Sequence, residues 1–270
     1  MAFVRVSGKN RCPICNGPDW CGITEDGLVV RCMRITSDKE CKGGWLHGLE
    51  KPLNMTRIKR EKKVYLENVD KIAYSYLNQK SLEPLGVNLG VSTRALNRLC
   101  VGWDGTAWTF PMRDGYGKII GVRRRMWNGA KYTLKNSRNG LFIPDQLVQE
   151  GPLLICEGPT DCAALIDMGY DVIGRPSCST GIDMSNDYLK RFRLRDVVIV
   201  ADNDEPKTIG GHVRRPGQEG AQACAHAIVK NTMRVCVIKP KSKDIRGWVQ
   251  EGATRRSVDV LIRNATWIYN

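Results

Sequence analysis

The chain has 270 residues, with 42 Lys and Arg against 28 Asp and Glu, a formal charge of +14. That length suits one large domain or two to three small ones, and a hydrophobic share of 42% is enough for a sizeable core. No apolar run approaches the roughly 20 residues that span a bilayer, and the opening MAFVRVSGKN lacks the apolar stretch of a signal peptide. The expectation is a cytoplasmic protein without membrane contact, whose basic surplus points to a polyanion, with nucleic acid first.

Eleven cysteines in such a chain read as thiols and metal ligands rather than disulfides. Five of them (Cys12, Cys15, Cys21, Cys32, Cys41) crowd the first 41 residues. CPIC at 12–15 is a C-x2-C knuckle, half of a common zinc site. In WCGITEDGLVVRC, Asp26-Gly27 signals a two-residue hairpin turn. That turn sets Ile23 opposite Val30 and Cys21 opposite Cys32, and opposed residues share a sheet face about 5 Å apart. A four-cysteine site of Cys12, Cys15, Cys21 and Cys32 follows, with Cys41 and His47 as competitors for the fourth place. A segment this small needs a metal to fold, so structural Zn2+ is expected over residues 1–50.

Residues 51–63 (KPLNMTRIKREKK) are basic with few large apolar side chains and read as a linker. Residues 64–150 mix helical and strand patterns. Within them, EPLGVNLGVSTRALNRLCVGW (83–103) fits a helix pair with Gly90 in the turn and Ser92 capping the second helix; a packing subdomain is the expected use, a DNA-reading helix-turn-helix the alternative. Further on, Arg123 and Arg125 share one strand face and can present two guanidiniums to phosphates, while Trp127 and Tyr132 offer rings for base stacking.

From Leu153 the pattern is strand, turn, helix, repeated, which predicts an α/β layer with a mostly parallel sheet over 151–250. LLIC, DVIG, RDVVIVAD and RVCVIK are the strands; TDCAALIDMG and QEGAQACAHAIVKN are helices. Two strands end on acid: Glu157 after LLIC, and Asp202, Asn203, Asp204 and Glu205 after VVIVA. Ligands of a parallel sheet bind beyond the carboxyl ends of its strands. Alternation would put Asp202 and Asp204 on one side, where two carboxylates repel unless a cation such as Mg2+ lies between them. Gly158 allows a sharp turn, Thr160 or Asp161 is the expected cap of the following helix, and Asp244 lies after a further strand. GGHVRRPGQEG (210–220) reads as a mobile basic loop. His47, His212 and His226 have no placement as acid–base catalysts. No G-x-x-x-x-G-K-[ST] loop is present, and residues 251–270 read as a short tail.

EGPTD followed by VVIVADND resembles the Toprim domain shared by bacterial-type primases, topoisomerases and some nucleases. CPICNGPDWC…DGLVVRC is similar to the N-terminal zinc ribbon of phage and plasmid primases, and GKIIGVRRRMWNGAKYTLKNSRNGLFIP (117–144) to the stretch that precedes Toprim in them. The resemblance implies a catalytic centre of Glu157, Asp202 and Asp204 binding Mg2+ or Mn2+, with Asp244 in the later acidic position and Asp161 in support. It also implies a nucleotide and template groove with Arg123, Arg125, Lys131, Tyr132, Asn136, Ser137 and Phe142. The implied activity is synthesis of short RNA primers on single-stranded DNA from ribonucleoside triphosphates, with a replicative helicase as partner in trans. A topoisomerase would need a nucleophilic Tyr on a separate large domain, and a Toprim nuclease of the ATPase-linked kind would need a P-loop. The remaining alternative is a single-strand binding module.

Overall fold

Runs of apolar, largely β-branched residues bounded by turns make strands buried on both faces, and four such runs build the centre of this protein. The structure, a computed structural model, describes residues 3–41, 43–53, 65–147, 151–192, 194–209 and 212–270. It divides into two compact units, Met1–Lys62 with Pro206–Arg214, and Lys63–Glu205 with Arg215–Asn270. Most of the linker expected over 51–63 lies outside the described residues.

The first unit is an all-antiparallel sheet in the order β1-β2-β3-β5-β4, from β1 (Phe3–Arg5), β2 (Gly22–Thr24), β3 (Val29–Cys32), β4 (Glu40–Cys41) and β5 (Gly44–Gly48). Ile23 pairs with Val30, the register read from the sequence. The turn that sets it is different. Gly27 N–H bonds the Thr24 carbonyl at 2.9 Å and Gly27 has φ +72°, whereas Asp26 is not left-handed. Glu25 and Asp26 thus form the corners, with Gly27 in the left-handed place after them, a longer hairpin loop that preserves the same pairing.

The second unit opens with α1 (Val69–Ser75), α2 (Glu83–Leu89) and α3 (Thr93–Arg98), followed by an antiparallel sheet β6-β7-β8-β9: Gly102–Trp103, Trp108–Arg113, Ile119–Arg125 and Lys131–Thr133. Gly90 closes α2 at φ 68°, and Ser92 caps α3 by accepting the Ala95 N–H at 3.1 Å. Both Ser92 N–H and Oγ bond the carboxylate of Asp167, and Gln250 bonds the Leu89 carbonyl at 3.0 Å. With Leu85, Leu89 and Leu96 buried in the main core, the helix pair is a packing element.

The remaining elements are β10 (Leu153–Glu157), α4 (Gly158–Asp167), β11 (Asp171–Arg175), α5 (Ile182–Leu189), β12 (Asp196–Val200), β13 (Lys207–Ile209), β14 (His212–Arg214), α6 (Pro216–Ile228), β15 (Arg234–Ile238), α7 (Ile245–Gln250), α8 (Arg255–Arg263) and β16 (Trp267–Tyr269). One sheet runs β11-β10-β12-β15-β16, parallel except for β16. Alternation splits its strands between two cores: Leu154, Cys156, Val198 and Val200 face α4 with the helix pair and β7, whereas Leu153, Ile155, Val197 and Ile199 face α5 and α6. The architecture is thus the expected α/β layer, with a mixed α+β part sharing its core and a β-rich cysteine unit.

Three expectations change. Residues 251–270 form α8 and the edge strand β16 rather than a loose tail. The basic stretch 210–220 holds β14 and the start of α6; β14 pairs with β13 in an antiparallel hairpin of the first unit, within which His212 stacks on Trp45 at 6.2 Å. α4 begins at Gly158, so Thr160 and Asp161 lie inside its first turn and Glu157 is the residue before it, with no side-chain capping bond. Among the described residues no helix is long and apolar enough to cross a membrane.

The Ser92 cap gives a direct test. Replacing an N-cap serine by alanine costs about 1 kcal/mol, so Ser92→Ala should lower unfolding free energy by about that amount in urea, and Ser92→Thr should retain most of it.

Candidate active site and four-cysteine centre

Cys12, Cys15, Cys21 and Cys32 place their sulfur atoms all within 4.8 Å of one another. The knuckle turns back on itself through Asn16, left-handed at φ 54°, whose N–H reaches the Cys12 carbonyl at 2.8 Å. The hairpin brings in the other pair. Cys15 and Cys21 sulfurs are 3.7 Å apart, and Cys21 and Cys32 sulfurs 4.0 Å. A tetrahedron with Zn–S bonds of about 2.3 Å has edges of about 3.8 Å, so the donor set fits zinc. Backbone N–H groups of Met33, Arg34 and Ile35 point at the Cys21 and Cys32 sulfurs at 3.3–3.4 Å, as suits thiolates. The competitors are elsewhere: Cys41 lies in β4, and His47 Nε2 sits 3.0 Å from the Ile35 carbonyl.

The acidic residues gather at the carboxyl edge of the parallel sheet. β10 and β12 are neighbours, with Ile155 paired to Ile199, so Glu157 and the Asp202–Asp204 loop leave the sheet side by side. Asp244 follows β15, next to β12. The strand β12 stops at Val200, so alternation does not set the aspartates. Asn203 does: its N–H bonds the Lys243 carbonyl at 2.7 Å and its amide the Lys241 carbonyl at 3.2 Å. Asp204 Oδ2 accepts the Gly217 N–H at 3.1 Å. A Cβ on Gly217 would lie 2.9 Å from the Cβ of Asp202 and 3.1 Å from Asp204 Oδ2, so glycine is required where α6 meets both acids. Gly158, at φ +73°, makes the strand-to-helix turn that leaves Glu157 at the edge.

These carboxyls raise one another. Burial, then Asp202, pushes Glu157 up to about 7 against the opposing charge of Arg175. Burial, then Asp244 and Asp204, pushes Asp202 to about 6, opposed by Lys243 and Lys131. Asp161, buried at 8% exposure, is pushed to about 8 by burial, Asp244 and Asp202, although it accepts the Arg246 N–H at 3.1 Å. Glu157 Oε1 is buried with no hydrogen-bond partner. An orphaned oxygen among carboxyls that repel is a donor set a hard divalent cation satisfies. Asp244 divides its duty, since it also caps α7 by accepting the Gly247 N–H at 2.6 Å. Among the described residues the cysteine quartet is the one group of three or more metal-ligating side chains drawn together at such distances; the acids share a field without converging on a point.

Facing them is a row of cations. Directly opposed residues share a face, and the register runs Trp108 to Arg125 to Lys131, and Phe110 to Arg123 to Thr133. Burial, then Arg246, lowers Arg125, with Asp161 opposing; burial, then Arg125, lowers Lys131, again against Asp161. Asn139 steadies Arg123 at 3.3 Å. Tyr132 pairs with Arg124 instead, on the other face, where Arg124 holds Asp104 at 2.5 Å. Strand pairing does not bring the other groove candidates onto this row. Ser137 is buried, accepting the Val122 N–H at 3.3 Å and donating to the Leu134 carbonyl at 2.9 Å. Phe142 is a core residue whose backbone bridges to Gly174, though its ring lies 5.9 Å from the Arg123 guanidinium. Asn136, at φ 61°, offers its carbonyl to Leu66.

Sequence reasoning missed Arg175. It ends β11 in register with Glu157, is 1% exposed, and donates to the Cys178 carbonyl at 3.0 Å. The signal was present, since DVIGR is an apolar strand ending on a charge just as LLICE is. Arg246, Lys243 and Asn139 carried no local signal.

No family model and no curated protein matches the sequence. Solved structures do. The Aquifex aeolicus primase, comprising zinc-binding and RNA polymerase domains, is similar at 14% identity over 99% of this chain and 81% of its own, TM-score 0.57. The DnaG primase catalytic domain bound to single-stranded DNA is similar at 16% identity over 73% and 77%, TM-score 0.55. A DNA primase domain from Pseudomonas aeruginosa is similar at 14% over 74% and 78%, TM-score 0.54. The chain therefore has the fold of primase zinc-binding and RNA polymerase domains.

Two outcomes are expected. Cys21→Ser should lose bound zinc by elemental analysis while Cys41→Ser keeps it. For Asp161, the unfolded carboxyl loses its proton near 3.8 and the folded one near 8, so the metal-free protein loses stability as pH rises through that window and is unpenalised below it. Asp161→Asn should flatten the pH 5 to pH 8 difference in unfolding free energy from urea titrations, by up to about 4 kcal/mol.

Proposed function

We propose that the protein is a DNA primase of phage or plasmid type, making short RNA primers on single-stranded DNA. The observation that carries this reading is the set of repelling carboxyls at the sheet edge, with Glu157 Oε1 buried and unpartnered, bordered by the Arg123, Arg125 and Lys131 row, on a fold shared with primases. Glu157, Asp202 and Asp204, with Asp244 beside them, would hold Mg2+ or Mn2+. When bound, the ion supplies charge neutralisation for the triphosphate.

The chain's own residues do the rest. Arg125 and Lys131 hold phosphates of template and nucleotide, and Arg123, fixed by Asn139, extends the same row. Glu157, which burial and Asp202 push up in the metal-free protein, would serve near the attacking hydroxyl as base or second metal ligand. Buried Arg175 keeps Glu157 from rising further. The cysteine centre, filled with zinc, would hold the first unit's fold as a template-contacting ribbon. Helicase recruitment in trans belongs to the same reading.

The test is labelled-nucleotide incorporation on an unprimed single-stranded DNA library with Mg2+ or Mn2+. Wild type should make short products, and Asp202→Ala and Asp204→Ala should lose at least about a hundredfold of that activity while still binding the strand. Metal-dependent shortening of the template without products would replace the primase with a nuclease. Tight strand binding with neither activity, even with a replicative helicase added, would leave a binding module.

A further inference from the structure

The antiparallel sheet carries a second set of side chains on the same face as the cations. Trp103 is paired with Trp108, Trp108 with Arg125, and Arg125 with Lys131, one residue from each of four strands. Adjacent strands lie about 4.8 Å apart, so the line is about 14 Å long. Its β9 end is cationic and lies in the field of Asp161 and Asp202. Its β6 end is aromatic. Trp103 and Trp108 meet edge to face at 4.9 Å, and Trp127 meets Trp108 at 5.7 Å.

Trp127 is held as well as exposed. It sits in the tight loop between β8 and β9, where Met126 N–H bonds the Ala130 carbonyl at 2.9 Å, Gly129 N–H bonds the Met126 carbonyl at 3.0 Å, and Gly129 takes φ +83°. Its ring is nevertheless 50% exposed, although Trp108 beneath it is 0% exposed. Lys80 brings an ammonium to the cluster, 4.1 Å from the Trp103 ring, 5.4 Å from Trp127 and 5.6 Å from Trp108. A half-exposed indole beside Lys80, at the end of a line that carries Arg125 and Lys131, has the two components of a sequence-tolerant single-strand site: a π-face for a base and charge for the backbone.

We infer that Trp127, backed by Trp108 and Trp103 and flanked by Lys80 and Arg125, is a stacking station for an unpaired base of single-stranded DNA, a short distance along the strand from the acidic centre. This deepens the primase reading and rests on it for the identity of the strand as template. Charge complementarity selects the occupant: an uncharged or cationic ligand would meet Lys80, Arg125 and Lys131, whereas a polyanion with flat bases meets all of them favourably. Tyr132 has no part in the station, since it projects from the opposite face.

The test separates base from backbone. Affinity is measured, without nucleotides, for an oligo-dT strand and for an abasic strand of equal length. Wild type should prefer the base-bearing strand at least about fivefold, as expected for one stacked base. Trp127→Ala should abolish that preference and leave abasic affinity unchanged, and Trp127→Phe should keep most of it. Arg125→Ala should weaken both strands alike. Equal wild-type affinity for the two strands, or equal weakening of both by Trp127→Ala, would overturn the station. Primer synthesis is read separately: its absence in a protein that keeps the base preference sinks the primase reading alone, and its presence with no base preference sinks the station alone.

Discussion

The carboxylates of Asp202 and Asp244 lie close enough to raise their acidic neighbours, Asp202 acting on Glu157 and Asp161 and Asp244 on Asp161 and Asp202, and burial strengthens that repulsion because the surroundings screen it less than water does. Carboxyls pushed from their ordinary range to between about 6 and 8 work against folding at neutral pH. The structure around them answers this strain from several directions. Arg175 lies behind Glu157, Lys243 and Lys131 lie near Asp202, and Arg246 gives its backbone N–H to Asp161. Two glycines permit the crowding, Gly158 by its backbone conformation and Gly217 by lacking a Cβ. A bound divalent cation would turn the same repulsion into attraction, which is the physical reason to keep so costly a cluster.

The first unit meets a different constraint. Among the described residues its buried apolar side chains are Val6, Ile23, Val30 and Trp45 together with three cysteines. So small a core supplies little of the free energy needed to order five short strands. A metal on the four sulfurs would supply what is missing, joining the 12–15 knuckle to the 21–32 hairpin. The N–H groups aimed at Cys21 and Cys32 are backbone, so that part of the site is set by hairpin geometry rather than by further side chains.

What the sequence made legible was local. The apolar runs, the Ile23–Val30 register, the Gly90 turn and the Ser92 cap each depend on a few adjacent residues, and each is where it was expected. What it hid depends on partners far along the chain. Asp202 and Asp204 are placed by Asn203 docking on 241–243 and by Gly217, not by strand alternation. Tyr132 and Lys131 separate because the β8–β9 register puts successive residues on opposite faces. Ser137 looks like a polar groove residue in a basic stretch, yet its hydroxyl satisfies a turn that closes on Val122. The hairpin within 206–214 did carry a local signal, Gly210-Gly211 between Thr208-Ile209 and Val213, that a reading starting at Gly210 cut through. Cys41 against Cys21 was the reverse case, since a register argument from one turn was enough even though the turn itself was of another kind.

The net charge of +14 and the acidic edge are therefore parts of one arrangement rather than opposites. An acid cluster alone would repel a polyanion at the distance where chemistry must happen. On the proposed reading, Arg125 and Lys131 on the strands that border it would reverse the field met by an approaching phosphate, while leaving the carboxylates to hold a small cation inside. Beyond the cations the same cross-strand line turns aromatic, so the character of the surface changes from acid to base to indole within a few strand widths. On the proposed reading, that order would suit a single strand entering with its reacting end at the acids, a phosphate on the arginine and lysine, and a base on tryptophan. A sheet delivers it because directly paired residues share a face, and four adjacent strands can thus present graded chemistry along one line that no single strand or helix could hold.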